Sequence, residues 1–171
     1  KYIAVDVCDK RYIFDPWKKD LNLPVEFWHM DSGQIKVGDQ TKYLEPSKEE
    51  SVAPSGYNPH QKATVQAGRF DVIFQDGWHN LEHNIKELDN FIYPALKDKG
   101  NGYLVIHDTQ SWCELYWKYI EKKVKEGKYK FEFIRFMHNY GLAICRKMDN
   151  YDYNLVTWPE GDQKKEEGFI Y

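Results

Sequence analysis

Four short apolar runs in this chain of 171 residues end in a carboxylate. Tyr2–Cys8 carries Asp6, Val25–Met30 is closed by Asp31-Ser32-Gly33, Phe70–Gln75 stops at Asp76-Gly77, and Tyr103–Ile106 stops at His107-Asp108-Thr109. One such acid is ordinary, because Asp favours turns and caps. Four on one rim would form a ligand-binding edge, since open sheets of parallel strands bind ligands beyond the carboxyl ends of their strands. A separate string, His79-Asn80-Leu81-Glu82-His83, has the HxxEH form. Two imidazoles one helical turn apart with a carboxylate beside them can hold zinc for peptide hydrolysis. The pattern is short, and Asp76-Gly77 just ahead of it reads better as a strand end, so a zinc metallopeptidase is the lesser alternative.

The elements that must position these groups follow from hydrophobic period. Leu81, Ile85, Leu88, Phe91, Ile92 and Leu96 recur at three- and four-residue steps, predicting a helix over Asn80–Lys97 that Pro94 kinks or shortens. Ser111 is a fitting N-cap for a second helix through Trp112, Leu115, Tyr119, Ile120 and Val124, stopped at Gly127. Tyr129–Met137 and Gly141–Arg146 read as a hairpin. Strand and helix in alternation predict a parallel sheet with helices on both faces and an antiparallel edge from the closing hairpin. Ile35 to Arg69 shows no clear period. A loop of that length is uncommon in a compact domain, so it is a lid, an insert or a missed element.

Composition narrows the function. At 20.4 kDa there is room for one domain, and 42% hydrophobic with 16% aromatic residues supplies a core, which argues against general disorder. A net charge of −3 with Lys and Arg scattered among acids argues against a nucleic-acid groove. No long apolar run or basic-apolar leader appears, so neither a membrane span nor a signal peptide is expected, and the cytoplasm is the default location. Cys8, Cys113 and Cys145 form no CxxC and are expected as buried free thiols.

FDVIFQDGWH (70–79), YPALKDKGNGYLVIHDT (93–109) and FEFIRFMHNYGLAICRK (131–147) together resemble the class I S-adenosylmethionine-dependent methyltransferases. The similarity is to their small-molecule O-methyltransferase branch, which includes the cephalosporin-hydroxylase-like and macrocin-type enzymes. The resemblance implies a Rossmann-like, doubly wound, mostly parallel α/β sheet with an antiparallel C-terminal hairpin strand, spanning 1–147 with 35–69 as insert or lid and 148–171 as an irregular tail. It implies that Asp6 holds both ribose hydroxyls of S-adenosylmethionine, that Asp31 and Ser32 lie beside the adenine, and that Asp76 and Gly77 touch the cofactor. It further implies that Asp76 and Asp108, with His107 in a third ligand position, share Mg2+ or another divalent metal, the imidazole favouring manganese or iron. Some metal-dependent relatives place their base two residues after the first acid; here that residue is Trp78, so His79 is the substitute base, acting with Asp76. The partner implied is a small hydroxylated acceptor, sugar, phenolic or natural-product-like, and a homo-oligomer is compatible with this reading.

The family's Gly-rich strand-loop is not found ahead of Tyr2, and a start at Lys1 points to a lost N-terminal piece. A catalytically silent Rossmann-like binding domain is the main alternative, since six Trp and thirteen Tyr could anchor an interface. An NAD-dependent oxidoreductase lacks its GxGxxG here.

Overall fold

The computed structural model describes residues 2–8, 10–20, 22, 25–39, 41–43, 61–110, 114–137 and 140–150. They form two compact units, Lys1–Gln66 and Ala67–Tyr171. The architecture is mixed α/β, with parallel and antiparallel strand pairs distributed over three sheets.

In the N-terminal unit, β1 (Tyr2–Asp6) pairs in parallel with β2 (Val25–His29), joined through α1 (Arg11–Asp20). α1 holds Pro16 in its interior. A 3-10 turn, Ser32–Gln34, leads into β3 (Ile35–Val37), which pairs in parallel with β5 (Ala63–Val65); β4 (Lys42–Tyr43) is antiparallel to β5. The stretch from Ile35 to Arg69 therefore contains three strands, so that a missed element, one of the alternatives the sequence left open, is present there. Strands of two or three residues are too short to display a period of two. Residues 44–60 of that stretch lie outside the described residues. Trp28, Met30, Ile35, Ala63 and Val65 are buried here.

The C-terminal unit is built on a four-stranded sheet of order β6 (Val72–Gln75), β7 (Gly102–His107), β9 (Leu142–Lys147), β8 (Phe131–Phe136). β6 and β7 are parallel, and β9 enters antiparallel to both β7 and β8. The hairpin is as predicted, but the strand at the edge is β8, and β9 is interior. Burial alternates along β7, so Leu104 and Ile106 face a core shared with Phe131, Ala143 and Cys145. Val72, Phe74, Ile134 and Phe136 are exposed, so β6 is not the fully buried strand its apolar run suggested.

Over that core lie two helical segments. Asn80 caps α2 (Leu81–Glu87) by accepting from His83 N at 2.9 Å. The chain then widens into a π-helical turn, Leu88–Ile92, and ends in α3 (Tyr93–Ala95). Pro94 explains the break: its ring collides with the carbonyl four residues earlier, and a wider turn just ahead relieves the clash. α4 (Glu114–Lys125) buries Tyr116, Trp117, Ile120 and Val124. Leu115, expected on the apolar face, is 62% exposed, while Tyr116 and Trp117 take the buried face instead. Ser111, Trp112 and Cys113 lie outside the described residues. Of the other thiols, Cys145 is buried, which pushes its pKa up, whereas Cys8 is exposed and corrects the expectation of burial.

Candidate functional site

The parallel register of β6 and β7 sets Gln75 opposite Ile106, so the residues that follow, Asp76 on one strand and His107-Asp108 on the other, emerge side by side. Adjacent strands lie about 4.8 Å apart, close enough for side chains from both to converge on one point. One ligand atom from each of Asp76, His107 and Asp108 lies within 4.8 Å of the others. His107 Nδ1 is 3.3 Å from Asp76 Oδ1 and 2.9 Å from Asp108 Oδ1. Despite these distances, His107 Nδ1 and Asp108 Oδ1 are buried without a hydrogen-bond partner. Asp108 uses its second oxygen elsewhere: Oδ2 lies 3.1 Å from His79 Nε2.

Asp108 holds this position in a left-handed backbone conformation, φ +60°, that costs a residue with a Cβ about 1–2 kcal/mol. The surroundings enforce it. Asp108 N donates to Gly141 O at 2.9 Å and Gln110 N donates to Tyr140 O at 2.8 Å. Arg135 donates through its terminal nitrogen to Thr109 O and through Nε to Thr109 Oγ1, 3.3 Å away. The guanidinium is itself fixed over the Trp117 ring, 5.5 Å from the centroid, and lies 3.8 Å from Glu114. Burial lowers its pKa from the ordinary value, opposed by the charge of Glu114.

Beneath the cluster is a small cavity lined by Gln75, Gly77, His79, Asn84, Ile106, His107, Asp108 and Tyr116. A chain of polar contacts runs from its wall: Tyr116 OH donates to Gln75 Oε1 at 2.8 Å, Gln75 Nε2 donates to Glu87 Oε2 at 2.8 Å, and Glu87 Oε1 lies 3.3 Å from His83 Nε2. Burial, reinforced by the Glu87 charge, holds the Tyr116 hydroxyl well above the usual tyrosine pKa. Sequence reasoning missed Gln75, Asn84, Glu87 and Tyr116. A signal existed, because Asn84 and Glu87 fall within the three- and four-residue steps of the apolar face of α2, where polar residues are out of place. A Cβ built on Gly77 meets nothing within 4 Å, so the surrounding protein leaves open space beside this glycine.

In the N-terminal unit, Asp6 and Asp31 lie at the same end of the β1–β2 pair, where Met30 N donates to Asp6 O at 3.0 Å. Asp6 Oδ1 accepts from Cys8 N at 2.7 Å, and Asp31 Oδ1 accepts from Gly33 N at 2.8 Å to cap the turn that Ser32 opens. A carboxylate oxygen has two lone pairs, so these bonds leave acceptor capacity on both groups. A buried residue the sequence hid within a strand is His29, whose Nε2 lies 3.0 Å from Val7 O.

Among the described residues, the HxxEH side chains do not group as metal ligands. His79 precedes the helix cap and faces Asp108, His83 faces Glu87 at the other side of the turn, and Glu82 is exposed. Among the described residues, the single group of three metal-ligating side chains is Asp76, His107 and Asp108. Its donors fit a divalent cation: two carboxylates and an imidazole are a mixed oxygen and nitrogen set suited to Mn2+ or Fe2+, and two of the atoms are buried without a hydrogen bond. His79 Nε2, on the Asp108 oxygen that does not face His107, fixes the orientation of that carboxylate. No protein-family model matches the chain, and no curated protein matches it.

Proposed function

We propose that this protein is an S-adenosylmethionine-dependent methyltransferase that modifies a hydroxyl group on a small molecule with the help of a divalent cation, on a Rossmann-like fold. The observation that carries the reading is the convergence of Asp76, His107 and Asp108 at the carboxyl ends of two parallel strands, with His107 Nδ1 and Asp108 Oδ1 buried 2.9 Å apart and neither satisfied by a hydrogen bond. The resemblance in 70–147 supports it, as does the antiparallel entry of the last strand.

Asp76, His107 and Asp108 would hold the cation, and Asp6, Asp31 and Ser32 the nucleoside part of the methyl donor. When bound, the cation lowers the pKa of a nearby hydroxyl, and the donor supplies an electrophilic sulfonium methyl. The chain must align oxygen, methyl and sulfur and take up the hydroxyl proton. His79 is the proton acceptor in this reading. With Nε2 turned to Asp108, its ring is oriented, and the carboxylate steadies the positive charge that protonation brings. Trp78, 70% exposed, has no basic atom for that task. Gly77 leaves room at the end of β6 for a ligand to approach the backbone.

A second reading, a silent binding domain, is favoured by the exposed side chains of Val72, Phe74, Ile134 and Phe136. Calorimetric titration of S-adenosylhomocysteine into the full chain, with and without Mn2+, separates the two. Binding that is lost in Asp6→Ala supports the methyltransferase. No binding under either condition overturns it and leaves the binding domain.

A further inference from the structure

Among the described residues, five buried side-chain polar atoms lack a hydrogen-bond partner, and three belong to residues lining the one cavity beneath the cluster: His107 Nδ1, Asp108 Oδ1 and Asn84 Oδ1. A cation on the cluster satisfies the first two. It leaves Asn84, which is only 6% exposed and sits in mid-helix, where an apolar side chain would serve the core equally well. A buried amide oxygen without a donor is costly, so the helix keeps it for something that enters the cavity.

Hydrogen-bond directions around the cavity define what that is. Gln75 turns its amide nitrogen toward Glu87 Oε2, and Gln75 Oε1 then receives the Tyr116 hydroxyl proton. The Tyr116 oxygen is left with lone pairs alone, as is Asn84 Oδ1, and Asp108 adds a carboxylate oxygen. The missing group is therefore a donor. The cavity is small, with room for one water.

We propose that Asn84 Oδ1 accepts a hydrogen bond from a single water in this cavity, and that this water is a ligand of the cation held by Asp76, His107 and Asp108. The inference rests on the cation reading of the same cluster. Asn84 is thus a positioning residue, coupling α2 to the metal through the water, and it acts on affinity rather than on the methyl group.

The test uses Mn2+ alone with the full chain. Affinity comes from calorimetry, and bound water from broadening of the Mn2+ resonance in water enriched in a magnetic oxygen isotope. Asn84→Leu, close in size but without the acceptor, is expected to bind Mn2+ about tenfold more weakly and with less broadening. Asn84→Asp keeps the acceptor and adds charge, and is expected to bind at least as tightly as the wild type. Melting curves check both variants, and Asn84→Asp keeps the proposal testable should the leucine variant not fold. Wild-type affinity and broadening in Asn84→Leu overturn the proposal while leaving the cation site standing. Weakened binding in Asn84→Asp also overturns it, since the amide nitrogen would then be the working atom. No Mn2+ binding by the wild type overturns the cation reading and this inference together.

Discussion

The backbone N–H of Asp108 donates to the carbonyl of Gly141 at 2.9 Å, so a left-handed residue at the end of β7 is held by a left-handed glycine at the start of β9. The carboxylate at the centre of the candidate site is therefore carried on strained backbone, and strain persists only where neighbours impose it.

Replacing Asp108 by Gly should separate strain from chemistry. We expect Asp108→Gly to be about 1 kcal/mol more stable toward urea than Asp108→Asn, because glycine takes φ +60° without a Cβ penalty. Both variants should lose Mn2+ binding. Equal stability of the pair would remove the strain argument, and retained binding would remove Asp108 from the ligand set.

Gly141→Ala tests the clamp from the other side. With φ +84°, an added Cβ would meet Thr109 Oγ1 and lie 2.8 Å from Gln110 Cγ. We expect a loss of about 2–4 kcal/mol, from a disfavoured backbone and overpacking. Mn2+ affinity should fall as the segment carrying Asp108 shifts. Urea unfolding with wild-type behaviour would show that the segment has room to give.

Glu87 is 5% exposed at its side chain and lies against Gln75 and His83. Truncation to Ala removes the acceptor of the Gln75 amide and the carboxylate beside His83, and a cost of about 3 kcal/mol is expected in equilibrium unfolding. Glu87→Gln, which keeps the shape, should cost less. If Glu87→Ala unfolds like the wild type, the polar chain from Tyr116 to His83 contributes nothing to stability.

Alkaline pH should expose the buried tyrosines. Burial, with the Glu87 charge, raises the pKa of Tyr116, and burial together with its hydrogen bond to Asp89 raises that of Tyr129. A pKa raised in the folded state adds stability that is complete below the unfolded value of 10.0 and is lost as pH climbs through the folded one. The urea midpoint should therefore begin to fall above about pH 10. Tyr116→Phe should show a shallower fall, although it is about 1 kcal/mol less stable at neutral pH for want of its bond to Gln75. An identical alkaline slope in the variant would contradict this.

Much of the C-terminal unit was legible because its strands and helices are long enough to show a period. FDVIFQDG and YLVIHDT announced two neighbouring strand ends, and the structure brings Asp76, His107 and Asp108 together there. What local pattern could not reveal was lateral arrangement. β9 lies between β7 and β8 because of pairing between distant residues such as His107 and Leu142. The short strands from Ile35 to Val65 gave no period to read. Asn84 and Glu87 were passed over because neighbouring leucines and isoleucines dominated the helical face, and their partners, Gln75 and Tyr116, come from elsewhere in the chain. Pro94 signalled an interruption, but the form it took, a wide turn five residues long, depends on the whole helix.

That wide turn sets an angular offset. A turn of five residues with one more residue than an α-helix needs rotates everything before it by about 100° relative to everything after. Removing a single residue between Leu88 and Ile92 would take away the relief that this turn gives and press the Pro94 ring against the preceding turn. It would also swing Asn84 and Glu87 around the helix axis, away from Gln75 and the strand ends. The irregularity works as a phase adjuster: it lets one continuous segment keep Ile92 and Leu96 in the core while setting Asn84 at the cavity and Glu87 against Gln75, and a length change of one residue would undo the second.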